Sequence, residues 1–338
     1  MSFIIRPARP DDLQALYEMA KLTGGGFTNL PADRPALAAK LERTAAALAR
    51  AEEGIADDLI LFVLENRTTG QIRGTCQIFS QVGATAPFYS YRLGTLTQHS
   101  RELDRTFRAQ MLSLTTDLEG AAEVGGLFLH PRERAEGLGL LLARSRYLYI
   151  RQHRARFGER ILAELRGVID EAGGSPFWDG LAGRFFGMGF QEADAFNAIH
   201  GNQFIADLMP KTPIYVDMLS DHARAVIGMP HPNGRAAMRM LETEGFKYNG
   251  YIDIFDGGPT MLGKIDNLRT VAQARELRFA GTHGEGGAKM LVAAGRLADF
   301  RCAYARALPD GEDGVRLDGE AADLLGLLSE DRLLVAER

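Results

Sequence analysis

The stretch from Val124 to Tyr149 constrains the fold more than any other part of the chain. Its apolar opening, Val124 to Leu129 closed by Pro131, predicts a short buried strand. Leu138, Leu141, Leu142, Leu148 and Tyr149 recur at helical spacing and predict an amphipathic helix. Between the two lies Arg134-Ala135-Glu136-Gly137-Leu138-Gly139. Glycines at a helix entry leave backbone N–H groups uncovered at the positive end of the helix dipole, which suits a pyrophosphate. Arg134 can add a charge-assisted contact. The alternative is a glycine-softened helix entry without a ligand. The strand before and the helix after favour the anion site. A dinucleotide fingerprint would need Gly-x-Gly-x-x-Gly, and the order here differs.

At 338 residues, 46% hydrophobic and 25% charged, the chain has globular composition and is long for a single core. Two domains, or one with a large extension, are expected. The net charge of −5 disfavours nucleic acid or an anionic membrane as partner and leaves room for a cationic substrate. Cys76 and Cys302 stand far apart, with neither disulfide-framework nor zinc-knuckle spacing, which suits a reducing cytoplasm. The opening Met-Ser-Phe-Ile-Ile-Arg-Pro is too weakly apolar for a signal peptide, and no apolar run approaches membrane-spanning length. Seven scattered histidines imply no metal site, and no Gly-x-Ser-x-Gly elbow points to a serine hydrolase.

Along the chain, Phe3–Arg6 reads as a strand, and Asp12 or its neighbour caps a helix carrying Leu13, Leu16, Tyr17 and Ala20. A second helix is expected from about Pro35 to Glu52, then a hairpin of Leu59–Glu65 and Ile72–Val82. Residues 84–117 read as a less regular insertion. Ile161–Val168 reads as one strand, placing Glu164 and Arg166 on one face. Ser175 caps a helix running to about Phe190. Gly189-Phe190 and Gly245-Phe246 each look like a helix end, a thin hint of tandem repetition. Tyr248–Phe255 reads as a strand, and residues 289–338 as a small β-rich unit.

The Arg134, Gly137, Gly139 turn resembles the acetyl-CoA signature of the GNAT acyltransferases, Arg/Gln-x-x-Gly-x-Gly/Ala. The strand–helix–helix–strand–strand opening matches that family's order. The expected fold class is therefore α/β (α+β), a GNAT-like mixed sheet flanked by helices. A diverged tandem GNAT arrangement with a small β-rich C-terminal unit is expected. Residues 1–200 would form the acyl-CoA-binding domain, and 201–338 a second GNAT-like and β-rich domain contributing His231. Acyl transfer to an amine needs a proton carrier. His231, stiffened by Pro230 and Pro232 before a helix, is the first candidate, and His130 beside the glycine turn is its rival. The tetrahedral oxyanion needs a backbone N–H donor, most naturally from Leu127-Phe128-Leu129. A cationic acceptor would need a carboxylate, with Glu164, Asp170, Glu171, Asp253 and Asp256 as candidates and ordinary ion pairs or turns as the alternative for each.

Longer stretches narrow the family. Lys21-Leu22-Thr23-Gly24-Gly25-Gly26-Phe27-Thr28-Asn29-Leu30-Pro31, Tyr91-Arg92-Leu93-Gly94-Thr95-Leu96 and Glu164-Leu165-Arg166-Gly167-Val168-Ile169-Asp170-Glu171 are similar to the bacterial arginine N-succinyltransferases. So are Ser175-Pro176-Phe177-Trp178, Leu208-Met209-Pro210-Lys211, His231-Pro232 and Tyr251-Ile252-Asp253-Ile254-Phe255-Asp256-Gly257-Gly258-Pro259-Thr260. The resemblance covers about residues 1–265 and loosens beyond 270. It implies succinyl-CoA as co-substrate, no tightly bound cofactor, and the α-amine of L-arginine as acceptor. It places Leu127 at the succinyl-CoA contact and His231 as proton donor. Leu129, Arg134, Gly137 and Gly139 are then expected at the donor, and Gly25, Asn29, Glu164 and Arg166 at the acceptor. No nucleic acid or membrane partner is expected. A homo-oligomer, or a heteromer with a paralogous subunit, remains open, as does ornithine as an acceptor.

Overall fold

The computed structural model describes residues 3–23, 29–134 and 137–338. Its strands are β1 Phe3–Pro7, β2 Leu59–Asn66, β3 Gln71–Phe79, β4 Ser90–Ser100, β5 Arg105–Thr115, β6 Ala122–Leu129, β7 Arg160–Glu164 and β8 Ile214–Tyr215. They continue as β9 Lys247–Ile252, β10 Pro259–Lys264, β11 Arg275–His283, β12 Ala288–Ala294, β13 Arg301–Asp310, β14 Gly314–Asp318 and β15 Arg332–Glu337. The helices are α1 Leu13–Lys21, α2 Arg34–Ala49, α3 Leu138–Gln152, α4 Pro176–Gly180, α5 Gly183–Phe186 and α6 Phe190–His200. The remainder are α7 Gln203–Leu208, α8 Asp221–Val226, α9 Arg235–Glu244, α10 Arg269–Gln273 and α11 Gly319–Leu325.

Two compact units are interleaved in sequence. The first comprises Met1–Ser80, Ala122–Glu159 and Lys264–Arg338, and the second Gln81–Ala121 and Arg160–Gly263. The cut expected at residue 200 falls inside the second unit.

In the first unit, β13-β1-β2-β3-β6 lie side by side, with β1, β2, β3 and β6 antiparallel to their neighbours. Both faces are covered, which is why β2 reads as an unbroken apolar run rather than an alternation. Leu61 and Val63 pack with Leu16, Leu37 and Leu41 of α1 and α2. On the opposite face Phe62 meets Tyr149 of α3 edge-on at 5.2 Å. Asp33 caps α2 by accepting the Ala36 N–H at 2.8 Å. The capping role expected near Asp12 is different: its carboxylate accepts the Arg9 N–H and pairs with Arg6 at 2.8 Å. The β-rich tail is a closed barrel, in the order β12-β15-β11-β14-β13 with β13 returning to β12. Its core of Val292, Ala303, Ala305, Val315 and Leu317 is plugged by Ala321, Ala322 and Leu325 of α11.

In the second unit the strand order is β7-β10-β9-β4-β5-β8. Residues 84–117, read as irregular, instead hold the longest strands of the chain. The 11-residue β4 and β5 pair without a break from Ser90↔Thr115 to Ser100↔Arg105. Their polar outward positions hid the alternation. Trp178 and Phe177 centre this unit's core, Trp178 stacking on Phe255 at 5.6 Å. Ser175 caps α4 through the Trp178 N–H, as expected. That helix stops at Gly180, where Leu181 leaves helical geometry (φ −127°, ψ −88°), and a side chain at Gly180 would run into Ala223. Gly189 therefore opens α6 rather than closing a helix, whereas Gly245, at φ 113°, does close α9. The repeat hinted at by the two Gly-Phe pairs dissolves.

Candidate active site

In the first unit β6 breaks its register with β3: Thr75 faces Phe128 and Gln77 faces Gly125, so Gly126 and Leu127 together oppose the single residue Cys76. This bulge turns backbone groups away from the ladder. Gly126 sits at φ 58°, where a side chain would also press on Gln77. Leu127 and Leu129 are partly buried.

Beside the bulge runs a polar chain. Lys40 Nζ donates to Gln77 Oε1 at 3.3 Å, and Gln77 Nε2 donates to Asn29 Oδ1 at 2.6 Å. Asn29 in turn hydrogen-bonds the buried Glu123. Burial lifts the Glu123 carboxyl to about 7, against the pull of Lys40, and burial brings Lys40 down to about 8. The expected acceptor residue Asn29 therefore touches the strand expected to hold the donor. Gly25 lies outside the described residues.

Past β6, His130 accepts the Arg132 N–H on Nδ1 at 3.2 Å, and Arg73 pairs with Glu133 at 3.4 Å. Arg134 is exposed. Residues 135 and 136 lie outside the described residues. Gly137 caps α3 in the left-handed region at φ 81°, without a side-chain cap. Tyr304 Oη donates to the Gly137 carbonyl at 3.2 Å. Among the described residues, a side chain added at Gly139 would find only Leu129 Cδ2, at 3.9 Å.

The second unit positions His231. Its main-chain N–H donates to the Arg166 carbonyl at 2.7 Å, and its Nδ1 accepts the Asn233 N–H at 3.2 Å. Burial, then the Arg166 charge, depress its basicity below the ordinary histidine value. β7 ends at Glu164, so Glu164 and Arg166 do not share a strand face as expected. Arg166 is instead held in a turn-on-turn junction. Asp256 accepts the Gly167 N–H at 2.7 Å and the Gly258 N–H at 2.8 Å. Asp253 accepts the N–H groups of Phe255 and Asp256 at 2.7 and 2.9 Å. Burial, reinforced by Asp253, pushes the Asp256 carboxyl up to about 8. Close approach leaves no room for side chains at Gly167, Gly257 or Gly258. Of the candidate substrate carboxylates, Asp256 thus spends both oxygens on backbone and Asp253 spends Oδ1 on two N–H groups. Asp170 does the same with Ala172 and Gly174. Sequence reasoning passed over Asp194 of α6 and Glu123. Only their tertiary surroundings distinguish them.

The first unit's order β1-α1-α2-β2-β3-β6-α3, with a glycine-opened α3, is the order expected from the GNAT resemblance. The comparisons with known proteins are narrower. The family described as Arginine N-succinyltransferase beta subunit matches residues 3–270, and its C-terminal domain family matches residues 275–337. Arginine N-succinyltransferases of Salmonella paratyphi B and Salmonella typhimurium are each 44% identical over 312 residues, covering 90% of this chain and 89% of theirs. The solved arginine/ornithine succinyltransferase subunit AI of Pseudomonas aeruginosa superposes with a TM-score of 0.89 at 30% identity, over 99% of this chain and 98% of its own. The chain belongs to the arginine N-succinyltransferase family.

Proposed function

We propose that this protein transfers the succinyl group of succinyl-CoA to the α-amine of L-arginine. The observation that carries the reading is the 44% identity maintained over 90% of the chain. The geometry supplies compatible parts. The Arg134–Gly139 entry to α3 suits the CoA pyrophosphate. At the Gly126–Leu127 bulge, the Leu127 backbone N–H is assigned to the thioester oxyanion, with Leu129 along the same strand. Asn29, Gly25, Glu164 and Arg166 are assigned to the acceptor. With Nδ1 of His231 occupied by the Asn233 N–H, the neutral ring carries its proton on Nε2. In the reaction the amine nitrogen attacks the thioester carbon and the C–S bond breaks. Nε2–H hydrogen-bonds the departing sulfur while the proton lost by the amine is relayed to it, so the ring ends neutral as it began. CoA leaves as the thiol. Succinyl-CoA is a co-substrate, and no resident cofactor takes part.

Ornithine is the second acceptor to consider, because the Pseudomonas relative is named for both amino acids. That relative is also called a subunit, which supports assembly here, with itself or with a paralogue. Cys76 and Cys302 are free and buried, in keeping with a cytoplasmic enzyme. The test is thiol release from succinyl-CoA by the purified protein with arginine, ornithine or lysine. Release with arginine matched by succinylarginine is expected. Release with none of the three overturns the reading.

A further inference from the structure

Two groups of opposite charge in the second unit have no hydrogen-bond or ion-pair partner among the described residues, and one of them is a buried atom. Arg166 Nε is buried without a hydrogen-bond acceptor among the described residues. The Asp194 carboxylate is partly buried on α6, next to the fully buried Ala193, and no hydrogen bond or ion pair joins it to a described residue. The two are within electrostatic reach of each other, and Arg166 also acts on His231. Yet they do not close into an ion pair, which would cost far less than leaving both incompletely solvated. Two opposite charges that do not satisfy each other are complementary to a ligand bearing the same charges in reverse order. The other acidic candidates nearby are occupied: Asp253, Asp256 and Asp170 hold backbone N–H groups, and Glu164 is not without a partner.

We propose that Arg166 and Asp194 together select the acceptor, Arg166 taking its α-carboxylate and Asp194 the cationic end of its side chain. This rests on the arginine reading above and adds a residue to it. Arg166 suits a carboxylate because its planar guanidinium can bind it in a bidentate manner. The α-amine is bonded to the same carbon as that carboxylate. Because the Arg166 carbonyl also holds the His231 main chain at 2.7 Å, fixing the carboxylate brings the amine toward the imidazole. Burial and the neighbouring Asp253 make an isolated Asp194 reluctant to ionise, a reluctance that a bound cation relieves.

The experiment is steady-state kinetics with succinyl-CoA on three acceptors: arginine, norleucine, which lacks the side-chain cation, and agmatine, which lacks the carboxylate. Loss of one charge-assisted contact corresponds to about 10- to 150-fold. Asp194→Asn should lower kcat/KM for arginine by about that factor, mainly through KM, and leave norleucine unchanged. Asp194→Glu should keep the preference for arginine. Arg166→Gln should weaken arginine by a much larger factor than agmatine. If Asp194→Asn depresses arginine and norleucine equally, Asp194 is structural and the assignment fails. It fails as well if discrimination survives in Asp194→Asn or disappears instead in Glu164→Gln. A parent enzyme that never turns over arginine refutes the substrate reading itself, a result distinct from any of these.

Discussion

The two nitrogens of His231 are not equivalent, and that difference decides what the residue can do. The Asn233 N–H on Nδ1 favours the neutral ring, and burial together with the Arg166 charge adds to that preference. His231→Ala should lower kcat by about 100- to 10,000-fold while succinyl-CoA affinity, read by calorimetry, stays at the parental value. His130 has the same local geometry: a Pro at the next position, and Nδ1 accepting an N–H two residues on. The sequence ranked His231 first for its two flanking prolines, but the local geometries do not separate the two. If His130→Ala carries the kcat loss and His231→Ala does not, the assignment passes to His130. The Arg166 charge also makes a pH prediction. A nearby cation disfavours the imidazolium, so removing it raises the His231 pKa. The acidic limb of kcat at saturating acceptor should move to higher pH in Arg166→Gln. An unmoved limb would mean that His231 is not the titrating group.

At the scale of the element, the glycine turn and the Asp253–Gly258 turn call for different experiments. Gly137 is a poor probe of phosphate binding, because its left-handed backbone and the Arg338 side chain, 2.8 Å from an added Cβ, would themselves oppose substitution. Gly139 has ordinary helical surroundings and room. Gly139→Ala should raise thermal stability, since Ala is favoured over Gly in a helix by up to about 1 kcal/mol. Its succinyl-CoA affinity should nevertheless fall, because the new methyl stands where phosphates approach the backbone. A variant more stable and equally tight would place the pyrophosphate elsewhere. In the second unit, Asp256→Ala would strip two buried N–H groups, those of Gly167 and Gly258, of their acceptor. About 1–3 kcal/mol is expected for each, seen as a lowered Tm. The Arg166–His231 junction should loosen with it.

At the scale of the whole molecule, the barrel belongs energetically to the first unit although it matches a family of its own. Ile5 of β1 pairs with Cys302 of β13, and Phe300 packs edge-on against Phe62 and Tyr149 at 5.7 and 5.2 Å. Truncation after residue 273 would expose the β1 edge and these rings. The shortened chain should therefore be aggregation-prone rather than a stable domain; a soluble, cooperatively melting fragment would contradict this. A pH dependence of stability follows from the buried groups. Glu123 at about 7 and Asp256 at about 8 bind protons in the folded state that the unfolded chain has already lost, so each makes stability fall as pH rises through those values. His153, depressed to about 4 chiefly by burial, acts oppositely, but only below its ordinary value near 6.5. Between pH 6.5 and 8 the acids dominate, and Tm should decline. Glu123→Gln should flatten the decline, and a Tm rising across that interval would refute the assignment.

The sequence by itself determined what is local or covalently ordered. The apolar run of β2, the Ser175 cap, the strand–turn–helix from Val124 to Tyr149 and the His231-Pro232 turn all follow from spacing and from residues whose preferences act over a few positions. Family resemblance added the chemistry. Tertiary structure alone decided which carboxylates were free to act. Asp253 and Asp256 looked like substrate ligands until backbone N–H groups were seen to use them, and Asp194 stood out only once its lack of a partner was visible. The bulge at Gly126–Leu127, the interleaving of the two units and the closure of the barrel likewise depend on pairings between residues distant in sequence. Such pairings are set by register and packing over the whole sheet, which no short window of sequence contains.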